Sequence, residues 1–447
     1  MPEQRRLRVL TVGTGWDSSA GGIATVNREL SIGLAQAGHD VTAWIPEPIE
    51  DRHPDVDIRW PTNPPVKVEP GDSSGAKLAK HRQMLLSGEG LPEHVDIIVG
   101  HAKFTGDLAQ QLREQYYPTA KVVDMVHSST EEGDRSRNGD GIGADQKAAA
   151  QLERMKGADL VVGVGPIITE EAERSAQRDR VQLNVHEMIP GITAQEPPMY
   201  RDSQYRYEIL MMGRMDDPLK GAPEAVKMVK ELRDRGVPAH LVIRGVPADK
   251  LQEQQVQVNE ESDNSVRLRP YSVDPADLQR DLNGADLVLM PSHTEGFGLV
   301  ASEAAGAGVP VLMSQNTTGM GMFLNDASRV PPELGKDSTI TQGPRNTQAW
   351  ADRIQGVLQN LPAERERALG LREHLTNNYS WKAAGENMVA AVEKLNTLPK
   401  TQEQATLQMA TAGLAAPGSD KSLGKGATTT SVSQLSERNS TKQGPER

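Results

Sequence analysis

The chain has 447 residues, which is too long for one ordinary hydrophobic core and indicates two domains. Its 61 acidic and 49 basic residues give a formal net charge of −12, which disfavours general nucleic-acid binding because that binding relies on basic side chains. The lack of cysteine excludes disulfides and thiolate metal sites. With no signal peptide and no long apolar run in the sequence, we expect a cytoplasmic protein without a transmembrane span, and peripheral membrane contact stays open.

The first half of the chain alternates apolar strands with helices. The predicted elements are strands at 7–12, 41–45, 95–99 and 121–126 and helices at 23–37 and 76–86. Such alternation predicts an α/β domain with a parallel sheet, and ligands of these sheets bind at the carboxyl ends of the strands.

Glycines mark the loop after the first strand. Gly21 and Gly22 open the first helix, where glycine lets a ligand approach the backbone closely. Gly13 and Gly15 begin like a dinucleotide fingerprint, but Ser18 stands where the third glycine is required and the loop is too long. An NAD-dependent oxidoreductase is therefore disfavoured.

Two histidines close strands of the first half. His101 follows the strand at 95–99 and His127 follows the strand at 121–126, so we expect both to face the ligand crevice. The loop 128–143, rich in charge and glycine, follows the second histidine and is a candidate mobile lid.

The second half has a similar build. Residues 157–166 and 284–291 share the sequence Gly-Ala-Asp-Leu-Val, and a segment rich in proline lies between them at 190–203. Further elements are predicted as strands at 207–212, 240–244 and 265–268 and helices at 223–235 and 381–395. Residues 398–447 contain no aromatic side chain and are predicted to be disordered.

The most informative segment combines a strand at 285–290, a loop, a helix at 299–307 and a strand at 309–313. Backbone N–H groups around Gly298, Leu299 and Val300 would lie at a helix N-terminus, which favours a phosphate group. Gly296 and Gly298 keep the approach open, with Phe297 between them.

Two carboxylates flank this predicted phosphate site. Glu303 lies about one turn into the helix, where it can accept two hydrogen bonds from a cis-diol such as that of a ribose. Glu295 lies in the loop and faces whatever is attached beyond the phosphates. The segment is therefore predicted to hold a sugar nucleotide.

The segment from Glu295 to Glu303, with the Gly-x-Pro-Val that follows it, resembles the Glu-x7-Glu signature of retaining GT-B glycosyltransferases, the family 4-like enzymes of group 1. The resemblance covers about residues 5–395 and is strongest over 213–312. It implies two Rossmann-like, doubly wound parallel-sheet domains facing across a cleft. The implied limits are an acceptor-side domain at 1–195, a hinge at 196–206, a nucleotide-sugar-binding domain at 207–376, a closing helix at 377–397 that packs back on the first domain, and a disordered tail at 398–447.

The resemblance also implies roles for individual residues. Arg214 and Lys220 match positions that hold the diphosphate, and with Glu295 and His127 they form the implied catalytic group. The implied donor-binding set is Gly22, Arg214, Lys220, Glu295, Gly296, Phe297, Gly298, Leu299, Val300 and Glu303. The implied acceptor-side residues are Gly21 and His101, and no metal ligand is assigned.

The implied activity is transfer of a hexosyl or related unit from a nucleoside-diphosphate sugar, such as a UDP- or GDP-sugar, with retention and without a metal ion or a cofactor. The base, the sugar and the acceptor are not identified by the sequence. The acceptor classes left open are small molecules, glycans, lipids and proteins. Two alternatives stay open: a non-catalytic regulatory protein that binds a nucleotide sugar, and an epimerase or phosphorylase of the same fold.

Overall fold

A computed structural model describes residues 5–17, 21–50, 52–129, 141–198 and 206–397. Parts of three predicted segments lie outside the described residues: 130–140 of the candidate lid, 199–205 of the hinge, and the tail at 398–447. The fold given below is that of the part up to residue 397.

Seven parallel strands form the first sheet of the described chain, in the spatial order β3-β2-β1-β4-β5-β6-β7. They are β1 (Arg8–Val12), β2 (Asp40–Trp44), β3 (Asp57–Arg59), β4 (Ile97–His101), β5 (Lys121–Val126), β6 (Leu160–Val164) and β7 (Val185–Met188). The associated helices are α1 (Gly22–Gln36), α2 (Ser74–Leu86), α3 (Ala102–Tyr116), α4 (Gly141–Lys156) and α5 (Pro166–Arg178).

A second parallel sheet contains six of the described strands in the order β10-β9-β8-β11-β12-β13. They are β8 (Tyr207–Met212), β9 (Ala239–Val246), β10 (Val266–Pro270), β11 (Leu287–Met290), β12 (Val311–Ser314) and β13 (Thr339–Ile340). The helices after β8 are α6 (Ala222–Asp234), α7 (Leu251–Ser262), α8 (Pro275–Gly284), α9 (Leu299–Ala307), α10 (Gly319–Leu324), α11 (Pro332–Gly335), α12 (Thr347–Gln359), α13 (Leu361–Asn378) and α14 (Trp381–Thr397).

Each sheet is doubly wound, because the strand order runs outward from a central pair in both directions. The central pairs are β1 and β4 in the first sheet and β8 and β11 in the second. Ligands of such sheets bind where the order reverses, at the carboxyl ends of the strands. The predicted architecture of two Rossmann-like sheets is therefore confirmed.

Some predicted elements require correction. Helix α4 begins at Gly141, so the last three residues of the predicted loop 128–143 belong to a helix instead. The region rich in proline before residue 90 contains the three-residue strand β3, which the sequence did not indicate. This strand exists because β2 offers it a backbone edge, with Thr42 pairing with Asp57.

The last helix, α14, lies against the first helix, α1. Met388, Val389 and Val392 of α14 belong to the same apolar cluster as Leu30 and Leu34 of α1. The end of the described chain therefore contacts the first sheet's layer of helices, although it follows the second sheet in sequence. We keep the domain limits given by the resemblance as proposals.

No helix of the described chain has both the length and the apolar composition required to cross a bilayer.

Candidate active site

A cavity of about 810 Å³ lies between the carboxyl ends of the two sheets. The first half contributes the loop after β1, the start of α1 and the residues after β5. The second half contributes the loops after β8 and β11 and the start of α9. Both switch points of the strand order therefore open into one cavity, which is where the fold predicts a ligand.

Most of the residues predicted from the sequence line this cavity. They are Gly21, Gly22, His127, Arg214, Lys220, Glu295, Phe297, Gly298, Leu299, Val300 and Glu303. Two predicted residues do not line it: Gly296 and His101.

Helix α9 points its N-terminus at the cavity. Its N-cap is Gly298, whose φ of 98° lies in the left-handed region that favours glycine, and no side chain in the described part of the chain caps this end. The first-turn N–H groups of Leu299 and Val300 have no acceptor within an α-helix, and both residues line the cavity. This end of the helix can therefore donate hydrogen bonds to an anion.

Glu303 lies one turn further along α9 and also faces the cavity. Burial raises the pKa of its carboxyl from 4.5 to about 7. An acid with that pKa is partly protonated at neutral pH. A ligand that donates hydrogen bonds to the carboxylate would favour its ionised form.

Glu295 and Lys220 form an ion pair across the cavity wall, with the Nζ atom of Lys220 donating to Oε2 of Glu295. Both side chains are largely buried, at 20% and 26% exposed. The backbone N–H of Glu295 donates to the carbonyl of Thr317 at 2.8 Å, which fixes the loop. The sequence assigned these two side chains to different parts of the ligand, and the structure places them in contact.

Arg214 is tethered beside the same wall. Its Nη2 donates to Oδ2 of Asp217 at 2.9 Å, and the other carboxylate oxygen of Asp217 accepts the N–H of Leu219 at 3.2 Å. The Arg214 side chain is 66% exposed, whereas that of Asp217 is 7% exposed. The guanidinium is therefore held at one end and accessible at the other.

His127 is connected to the core by a chain of hydrogen bonds. Its Nε2 lies 2.9 Å from Nδ1 of His101, and Nε2 of His101 lies 2.7 Å from Oδ1 of Asn27 on α1. Burial lowers the pKa of His127 to about 4 and that of His101 well below its ordinary value. Both rings are therefore neutral at pH 7.

The expected position of His101 on the acceptor side is corrected by this geometry. His101 is fully buried behind His127 and does not reach the cavity. A strand-end residue faces either the crevice or the core, and here Asn27 and His127 take both ring nitrogens. Asn27 was not predicted from the sequence, because it lies at an ordinary position of a helix and belongs to no motif.

Gly296 lies behind the cavity wall instead of lining it. A Cβ atom at this position would collide with the backbone carbonyl oxygen of His127, and Ile168 lies close by. Gly296 therefore allows the second half of the chain to approach the first where His127 enters the cavity.

A further part of the cavity was not predicted from individual residues. It follows the carboxyl ends of β9 and β10 and is lined by Gly245, Pro247, Tyr271, Ser272 and Val273. The rule that ligands bind beyond strand ends would have indicated these loops. Their sequence contains no charged motif that would have singled them out.

Comparison with known proteins agrees with this architecture. The sequence profile of the Family 4 Glycosyltransferase in conflict systems matches residues 10–388. The chain is similar to a glycogen synthase of Mycobacterium tuberculosis, with 25% identity over 384 residues, covering 81% of this chain and 88% of the relative. A D-inositol 3-phosphate glycosyltransferase of Nocardia farcinica is 25% identical over 408 residues, covering 84% and 85%.

A solved structure shows the same fold. The sucrose-phosphate synthase of Thermosynechococcus elongatus matches with a TM-score of 0.67 at 19% identity, covering 88% of this chain and 100% of that one. The sheet topology, the cavity at both switch points and the profile match over most of the chain lead to one assignment. The chain belongs to the family 4 glycosyltransferases of conflict systems and is a GT-B glycosyltransferase.

Proposed function

We propose that this glycosyltransferase moves a hexosyl or related unit from a nucleoside-diphosphate sugar to an acceptor hydroxyl, with retention and without a metal ion. One observation carries the proposal. The cavity combines a free helix N-terminus, the cations Arg214 and Lys220, and the carboxylates Glu295 and Glu303. These groups match the phosphates, the ribose and the sugar of such a donor.

The donor would lie along α9. Its diphosphate would accept hydrogen bonds from the first turn of the helix, and its ribose diol would donate to Glu303 one turn away. The base would extend toward the loops after β9 and β10, which end this side of the cavity. The sugar would then lie beside Glu295 and His127, near the contact between the two halves.

Departure of the nucleoside diphosphate places growing negative charge on its β-phosphate. Positive groups fixed before the reaction stabilise that charge without reorganisation. Arg214 is held by Asp217 and Lys220 contacts Glu295, so both cations are positioned at the cavity by protein carboxylates. We propose that these two cations and the helix N-terminus take the role that a divalent ion plays in other transferases.

Retention is proposed from the family pattern, with the acceptor attacking from the face that the diphosphate leaves. The names of the two sequence relatives refer to glycogen and to D-inositol 3-phosphate, so we propose a sugar or a polyol as the acceptor class.

The experiment is to incubate the pure protein with a panel of UDP-, ADP- and GDP-sugars and sugar or polyol acceptors, and to measure release of nucleoside diphosphate. Release is expected in the presence of EDTA, and the product's anomeric configuration, read by NMR, should equal the donor's. Glu303→Gln should lose activity, whereas Glu366→Gln, on the exposed face of α13, should keep it.

Three outcomes would contradict parts of the proposal. Tight donor binding with no release would support a non-catalytic sensor. An inverted product would exclude retention, and complete loss of activity with EDTA that added Mg²⁺ restores would exclude the metal-independent site.

A further inference from the structure

The hydrogen bonds behind His127 form a relay that starts in helix α1. Asn27 is fully buried, and its Oδ1 lies 2.7 Å from Nε2 of His101. Nδ1 of His101 lies 2.9 Å from Nε2 of His127, which lines the cavity. The two hydrogen bonds of His101 use its two different ring nitrogens, so the nitrogen that carries the proton of His101 determines which atoms donate in both bonds.

The backbone around His101 is held in place on both sides. Its N–H donates to Oγ1 of Thr105 at 2.8 Å, and that hydroxyl donates to the carbonyl of Val12 at 2.7 Å. The next residue, Ala102, has a φ of 45°, which non-glycine residues rarely adopt, and its N–H donates to Oδ1 of buried Asp124 at 2.9 Å. Strain of this kind persists only where the surroundings enforce it, and it clusters at functional sites.

Asn27 is an unusual residue for a fully buried position of helix α1. Among the described residues its buried Nδ2 has no hydrogen-bond partner, although burial of an unpaired amide is unfavourable. An apolar side chain would avoid that cost in a helix that packs on the core. The amide oxygen of Asn27 instead makes a hydrogen bond with His101, which an apolar side chain could not make.

The hydrogen atoms of the relay follow from the donors and acceptors. Oδ1 of Asn27 faces His101 in the structure, and because an amide oxygen only accepts, this orientation places the proton of His101 on Nε2. In a neutral imidazole the other nitrogen is then unprotonated, so Nδ1 of His101 accepts and Nε2 of His127 donates. Nδ1 of His127 is left as an acceptor.

We propose that His101 and Asn27 are positioning residues that hold His127 in the tautomer protonated on Nε2, so that its Nδ1 accepts a hydrogen bond from a hydroxyl group of the bound sugar. The last part rests on the proposed function of the cavity. The tautomer itself does not, because the relay is complete without a ligand.

The tautomer is measurable directly. Protein labelled with 15N-histidine gives long-range 1H–15N spectra that separate protonated from unprotonated ring nitrogens, and His127→Ala identifies the resonances. The unmodified protein at pH 7 should show His127 protonated on Nε2. A spectrum with the proton on Nδ1 would overturn the proposal, and His127→Ala serves only to assign the resonances.

Variants then test whether His101 and Asn27 set the tautomer. His101→Phe removes the acceptor and Asn27→Leu removes the start of the relay, so both tautomers of His127 should appear. His101→Asn, whose Oδ1 replaces the lost acceptor, should restore one. His374→Gln, at a histidine bonded to the carbonyl of Arg329, is the matched control and should change nothing. An unchanged single tautomer in both His101→Phe and Asn27→Leu would overturn the positioning role.

Kinetics separate this inference from the proposed function. His101→Phe should lower kcat by about tenfold, the effect of one misplaced hydrogen bond, while the affinity for nucleoside diphosphate without a sugar is unchanged. If His127 shows the predicted tautomer but the protein transfers no sugar, the relay is established and only the proposed function is refuted. Equal loss of nucleoside-diphosphate affinity would show that His101 acts only on the structure of the cavity.

Discussion

Glu303 should make donor binding depend on pH. Its pKa is raised to about 7 by burial, and a ribose diol requires the ionised carboxylate as acceptor. With this pKa, the ionised fraction of the Glu303 carboxyl rises from roughly one tenth at pH 6 to roughly nine tenths at pH 8. If the bound donor keeps the carboxylate ionised throughout, the affinity should increase about tenfold over this interval.

Calorimetry at pH 6, 7 and 8 tests this prediction. The ligand should be an intact nucleotide sugar, because both of its phosphates are esterified and do not titrate in this range. Glu303→Gln should bind more weakly and without the increase, whereas Glu366→Gln should retain the increase. A flat profile in the unmodified protein, or the same tenfold increase in Glu303→Gln, would refute the reasoning.

Four further predictions concern the same cavity. Because the pKa of Glu303 is raised, its contribution to stability is present in full below pH 4.5 and is lost as the pH rises through about 7. In thermal unfolding, Glu303→Gln should therefore be as stable as the unmodified protein at pH 4 and more stable by up to about 3 kcal/mol at pH 8. Lys220→Ala should cost roughly 2 to 4 kcal/mol of transition-state stabilisation, measured as kcat/KM; no effect would exclude its proposed role. Glu295→Ala should depress transfer without weakening nucleoside-diphosphate binding, since it frees Lys220, and a weakened affinity would contradict this division of roles. Gly296→Ala should separate the two halves and lower turnover about a hundredfold, whereas Gly356→Ala, with open space around its added methyl group, should keep full turnover.

The fold was predictable because its signals are local. The strands Lys121–Val126 and Tyr207–Met212 were predicted to the residue from short segments rich in apolar side chains, and helix Leu299–Ala307 was predicted to the residue between its two glycines. The candidate donor site shares this property. Glu295 and Glu303 lie in one strand-loop-helix unit, so their spacing in sequence already fixes much of their spacing in the fold.

The other contacts join residues that are distant in sequence. Lys220 and Glu295 are 75 residues apart and meet only when the loops after β8 and β11 are adjacent. His101 and Asn27 are 74 residues apart, and their contact forms only when α1 lies beside the end of β4. Periodicity places a residue on an element, but it does not determine which neighbour the side chain will face.

The charges of the cavity explain how it can accept an anion although two acids line it. Glu303 is partly neutralised by its raised pKa, and Glu295 is paired with Lys220. A diphosphate that binds Lys220 removes the partner of Glu295, whose carboxylate then requires new hydrogen-bond donors. Hydroxyl groups of the donor sugar are such donors. Under the proposed function, the diphosphate and the sugar are therefore recognised together. The diphosphate pairs with Lys220 and breaks the ion pair, and the hydroxyl groups of the sugar then donate hydrogen bonds to Glu295.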